Sequence, residues 1–151
     1  MTKQVLFSFA FVFLLLGCKK EVPSTENSGT NENKIAPPRI ECFTSDANGS
    51  AVSIQLQFNG NEVTGTLNYS LAEKDSNHGT IKGKVENNIL IADYTFYSEG
   101  TESTRQVAFQ FAENKLMEGY GEMTKEGTQF KDVTKLNFNS KMPLIKIDCT
   151  E

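Results

Sequence analysis

Cys18 is the residue of this chain best placed for covalent chemistry. It closes Leu15-Leu16-Gly17-Cys18 at the end of an apolar run, with Lys3 as the positive start, Val5 to Leu16 as the apolar stretch and Gly17 as the small residue before a cut. That pattern is a lipobox, and it predicts a signal peptide over 1–17, cleavage before Cys18 and palmitate-type acylation there. The apolar run falls short of the roughly 20 residues that a spanning helix needs. Buried acyl chains would anchor the protein at about 0.8 kcal/mol per methylene. The expected partner is therefore a membrane, reached through lipid on Cys18. The expected location is the cell envelope, at the outer membrane, because Lys19 after the acylated cysteine is not an inner-membrane retention signal.

The chain has three cysteines. With Cys18 taken by lipid, Cys42 and Cys149 remain, in an oxidising compartment where a disulfide is the natural pairing. The bridge would close a loop of about 100 residues, worth roughly 4–5 kcal/mol in the chain-entropy account. Two free thiols or a metal pair are the alternatives. No other cysteine lies near either, and His78 is the single histidine, so no metal or other cofactor is expected.

A second group of candidate residues lies on two neighbouring segments. Arg105 alternates in phase with Val107, Phe109 and Phe111, and Glu118 and Glu122 alternate with Leu116 and Tyr120. A charge on an apolar strand face needs a partner, since an unpaired buried ion is very costly. A turn at Glu113-Asn114 would set Arg105 opposite Glu122. The expectation is an inner polar cluster of Arg105, Glu118, Glu122, Tyr94 and Tyr120. It reads as a structural ion pair near a barrel end, or as the polar rim of a ligand cavity. Asp75-Ser76-Asn77-His78-Gly79 departs from a calcium loop at its fifth and sixth positions, and reads as a hairpin loop. His78 has no evident serine or cysteine partner, so nothing points to nucleophilic catalysis and no enzyme is expected.

The elements that position these residues read as β almost throughout. Val52, Ile54, Leu56 and Phe58 occupy every second position, the period of a half-buried strand. Asn59-Gly60 follows as a hairpin signal, and a turn there would pair Leu56 with Val63. Asn87-Asn88 would pair Val85 with Leu90 and Ile81 with Tyr94. The turn at Glu113-Asn114 would pair Phe111 with Leu116 and Phe109 with Glu118. Strands are expected at 39–45, 51–58, 62–71, 79–86, 89–98, 104–112, 115–124, 128–131 and 144–149, with room for one helical turn between 131 and 142. The fold class is all-β: an antiparallel up-and-down meander of 8–9 strands. Bare edges favour closure into a small barrel of lipocalin or avidin type, and a Cys42–Cys149 bridge would staple its first and last strands. The sequence has no tryptophan, and so lacks the Gly-x-Trp start of lipocalins.

Composition sets the remaining limits. The formal net charge is −4, and the leader carries Lys3 but no acid, so the mature chain is more acidic still. Basic patches with interleaved aromatics are lacking, which excludes nucleic acid as an expected partner. Residues 18–38, the lipidated cysteine and the polar stretch after it, are too poor in apolar residues to fold and form a tether. The folded domain is then 39–151.

Several short runs carry a resemblance to a known family. They are Val63-Thr64-Gly65-Thr66-Leu67, Glu73-Lys74-Asp75 leading to Gly79-Thr80-Ile81, Ala92-Asp93-Tyr94, Ser98-Glu99-Gly100 with Arg105, and Glu118-Gly119-Tyr120-Gly121-Glu122. Over most of the folded region the chain resembles a family of short, functionally uncharacterised lipoproteins from Bacteroidetes bacteria. The resemblance implies an envelope lipoprotein and assigns no catalytic residue. Phe58, Phe96, Phe109, Phe111 and Tyr120 are enough to fill an eight-stranded barrel. The expected role is therefore structural or in contact with an envelope protein. A barrel binding a small apolar ligand is the alternative, supported by the small residues Gly83 and Ala92.

Overall fold

The structure, a computed structural model, describes residues 38–149 except Glu73 and Asp75. The predicted leader, Cys18 and the tether therefore lie outside the described residues. Eight antiparallel strands follow one another around a closed barrel. They are β1 (Arg39–Ala47), β2 (Ser50–Asn59), β3 (Glu62–Ser70), β4 (Asn77–Glu86), β5 (Ile89–Ser98), β6 (Thr101–Ala112), β7 (Lys115–Gly119) and β8 (Leu144–Ile147), with one 3-10 turn at Val133–Lys135. The up-and-down barrel, its strand order and the helical turn between 131 and 142 agree with the sequence reading. The expected ninth strand at 128–131 is absent.

At one end all three connections, β2–β3, β4–β5 and β6–β7, are two-residue turns. Asn87 and Asn88 both take positive φ, +49° and +63°, the requirement of a two-residue hairpin turn. This yields the expected pairs Val85–Leu90, Gly83–Ala92 and Ile81–Tyr94. The first hairpin differs from its expected register by two residues. Gly60 has φ +63° and sits at the first central position of the turn, so Asn59 pairs with Glu62 and Leu56 with Gly65. A slip of two leaves every side chain on its own face, and the apolar set still points inward.

The lumen is full over most of its length. Phe43, Leu56, Leu67, Ile81, Leu90, Tyr94, Phe109, Leu116 and Leu144 are all fully buried. At the turn end Phe111 meets Phe43 and Phe58, with ring centroids 6.2 and 6.0 Å apart. Charges lid this end: Lys146 and Arg39 both reach the Glu41 carboxylate, at 3.0 and 3.4 Å, and the Arg39 guanidinium lies over the Phe58 ring. Room inside is short enough that β4 cannot carry side chains at every inward position. A Cβ on Gly83 would collide with the Ile91 carbonyl and with Ala92 on β5.

Closure depends on the last strand. β8 pairs with β1 through Cys42–Ile147, Phe43–Lys146 and Thr44–Ile145, and with β7 at only Lys115–Ile145 and Leu116–Leu144. The disulfide joins Cys42 to Cys149 across 107 residues, with Cα atoms 5.3 Å apart. It fastens the C-terminal end of this short strand to β1.

β7 is shorter than expected. The β6–β7 pairs run through Phe111–Leu116 and Phe109–Glu118 to Ala108–Gly119 and stop there. The chain then leaves the sheet. The Gln106 amide donates instead to the Thr128 carbonyl at 2.7 Å, and Tyr120 exchanges backbone hydrogen bonds with Asn137. The Phe138 ring occupies the place a Cβ on Gly119 would take. The direct Arg105–Glu122 register is consequently not formed.

Two outcomes test this account. Replacing both bridge cysteines, Cys42→Ser with Cys149→Ser, should lower stability in urea by about 4–5 kcal/mol, and non-reducing peptide mapping of the wild type should give one linked pair. Gly83→Ala should cost about 1–3 kcal/mol through overpacking, read from the same denaturant melts; a neutral substitution would mean that β4 and β5 can move apart.

Candidate functional site

The other end of the barrel is open. The two-residue turns between β1 and β2 and between β5 and β6 meet the longer connections after β3 and β7 there, beside a cavity of about 940 Å³. Its floor is the top of the filled lumen. Val52, Leu71 and Met142 give it an apolar side, and Lys74, Asn77, Arg105, Glu118 and Lys141 a polar one. The lip at Asn139–Met142 comes from the long excursion between β7 and β8.

The aromatic floor sets the electrostatics. Tyr69, Tyr94 and Phe96 form a cluster, Tyr94 stacked on Phe96 at 4.8 Å and meeting Tyr69 edge-on at 5.9 Å. The Arg105 guanidinium stands 5.5–6.0 Å from all three ring centres. Such contacts hold a cation by the ring quadrupole while leaving its N–H donors free. Glu118 is engaged differently: Tyr69 donates to Oε1 at 2.6 Å and Tyr120 to Oε2 at 2.9 Å. Burial and then the Glu118 carboxylate push the Tyr69 phenol far above its ordinary range. Burial pushes Tyr94 up to about 12 despite the nearby Arg105 charge, and burial with Glu118 raises Tyr120. All three phenols therefore stay protonated at neutral pH, and those of Tyr69 and Tyr120 serve as donors to Glu118.

The expected cluster is assembled in part. Arg105, Glu118, Tyr94 and Tyr120 gather at this mouth. Glu122 does not: its carboxylate is exposed and pairs with Lys131 at 3.2 Å. The reason is the early end of β7, which turns Glu122 away before it can face β6. Among the described residues no ion pair includes Arg105. The sequence reading missed Tyr69 and Asn77. Tyr69 was legible as the next inward residue after Val63, Gly65 and Leu67 on β3. Asn77 carried no signal, yet its Oδ1 is buried on the cavity wall without a hydrogen-bond partner, and the Tyr94 hydroxyl is equally unpartnered. His78 is exposed on β4, paired in register with Asn68 and Tyr97 on the outer side.

The phenol–carboxylate contact is testable by stability. Tyr69→Phe should cost about 1–3 kcal/mol by leaving Glu118 Oε1 unpaired, measured in urea at neutral pH. The pH dependence has a definite sign. Below the unfolded value of 10.0 both states hold the Tyr69 proton, and above it the unfolded chain releases that proton first, so stability falls as pH rises. Tyr69→Phe should flatten that alkaline decline, and tyrosinate absorbance of the folded wild type should rise later than that of the unfolded chain.

Comparison with protein-family models, with curated proteins and with solved structures found no match to this chain.

Proposed function

We propose that this is a lipid-tethered protein of the bacterial cell envelope whose barrel mouth binds a small molecule. The observation that carries the reading is the cavity itself. It is of the size usual for small-ligand sites, roughly 300–1,000 Å³, and combines apolar walls with a few polar groups. Those polar groups include an arginine without an ion-pair partner among the described residues. The lipobox at Cys18 supports the tether, and the resemblance to Bacteroidetes lipoproteins supports the envelope. The role is binding; among the described residues Glu118 is the one carboxylate that lines the mouth, and it accepts hydrogen bonds from two phenols.

Contact with an envelope protein is a second reading. It is favoured by Ile40, Ile145 and Ile147, which are 43–48% exposed and lie on the two strands that close the barrel, β1 and β8.

Two measurements test the proposal. The full chain isolated from its own host membranes should carry a small non-covalent adduct in native mass spectrometry. Leu71→Trp, which fills the apolar side of the mouth, should deplete that adduct; its absence from the wild type would refute binding. A fatty-acid probe should label the wild type and not Cys18→Ser, and equal labelling of the two would refute the tether.

A further inference from the structure

The mouth has a chemical preference that follows from how its charges are used. Among the described lining residues, Lys74, Arg105 and Lys141 are cationic and Glu118 alone is anionic. Glu118 has both oxygens committed to phenols. Arg105 is half-buried, held over three aromatic rings and outside every ion pair among the described residues. A guanidinium so placed is oriented, and no carboxylate among the described residues is paired with it. Its planar fork matches a carboxylate through two parallel hydrogen bonds. Val52, Leu71 and Met142 add apolar lining to the same cavity.

Resting on the reading of the mouth as a binding site, we infer that its ligand is a small organic carboxylate carrying a compact apolar group, with Arg105 as the counter-ion. The carboxylate sits against the Arg105 guanidinium, and Lys74 and Lys141 at the rim draw anions in. The apolar group faces Leu71 and Met142. A long, wholly apolar ligand is disfavoured, because the lumen below Tyr94 is filled by Leu56, Leu67, Ile81 and Phe109.

A matched series of probes tests this: 4-phenylbutyrate, 4-phenylbutanol and 4-phenylbutylamine, which share an apolar part and differ in charge. Each is titrated calorimetrically into the full chain in detergent, with the detergent alone as blank. Phenylbutyrate should bind saturably, and the alcohol and amine about 10- to 100-fold more weakly, the scale of one charged hydrogen-bonded contact. Arg105→Gln should remove that selectivity and Arg105→Lys restore part of it. Because Arg105 contacts the aromatic floor, a thermal melt of each variant shows whether it is folded. Lys141→Gln, an exposed rim change, should weaken phenylbutyrate alone and leave the melt unchanged. Equal binding of all three probes, or undiminished selectivity in folded Arg105→Gln, would overturn the anion assignment. If the native adduct persists in that case, the mouth still binds a ligand and only its charge class is wrong. If no probe binds and no adduct is found, both readings fall.

Discussion

The barrel depends on the seam where β8 joins β1. Seven strands of this meander follow one another through local connections, and each pairs with its neighbour over many residues. The eighth is only Leu144–Ile147, and it must satisfy the backbone of β1 on one side and β7 on the other. An open sheet would present two long bare edges. Closing it removes them, and the circumference of eight strands then limits what fits inside. The rings of Phe43, Phe58 and Phe111, the absence of side chains at Gly65, Gly79 and Gly83, and the Glu41 lid are all consequences of that limited interior.

The two ends answer the same limit in different ways. At the turn end the aromatic side chains are lidded by ion pairs from Arg39 and Lys146, and nothing larger could enter. At the other end β7 stops early, and the chain makes an excursion from Tyr120 to Pro143 before returning as β8. That excursion raises the lip of the mouth and turns Tyr120 toward Glu118. The early end of β7 is therefore what opens a cavity above a filled lumen. The inner face keeps one phase throughout: the alternation that buries Val107 and Phe109 also brings Arg105 inward, and there the side chain meets aromatic rings rather than a carboxylate.

Much of this was legible in the sequence because it is local. Strand alternation, the Asn87-Asn88 turn and the register of β4 on β5 follow from period and turn chemistry alone. Closure was legible through Cys42 and Cys149, which are remote in sequence but matched in redox chemistry. The slip at Gly60 was not, because an Asn-Gly pair admits two turn frames and the apolar pattern is the same in both. The end of β7 was not legible either. Alternation runs on through Tyr120 and Glu122, and the reason it is broken lies elsewhere in the chain. Phe138 and Leu136 settle against Gly119 and Gly121, so these two glycines serve as seats for distant side chains.

The shortness and lateness of β8 bear on how the molecule is assembled. Cys42 and Ile147 are ladder partners, so the first strand formed has no mate on its outer side until nearly all of the chain is present. Loop closure over such a span is entropically costly and slow compared with hairpin formation. Until β8 pairs, β1 and β7 would be unpaired edges of an incomplete sheet, open to pairing with other chains. The barrel is thus a structure completed all at once, at the end, with the disulfide as its final fastening. A chain built this way gains from keeping β1 shielded until β8 is there to pair with it.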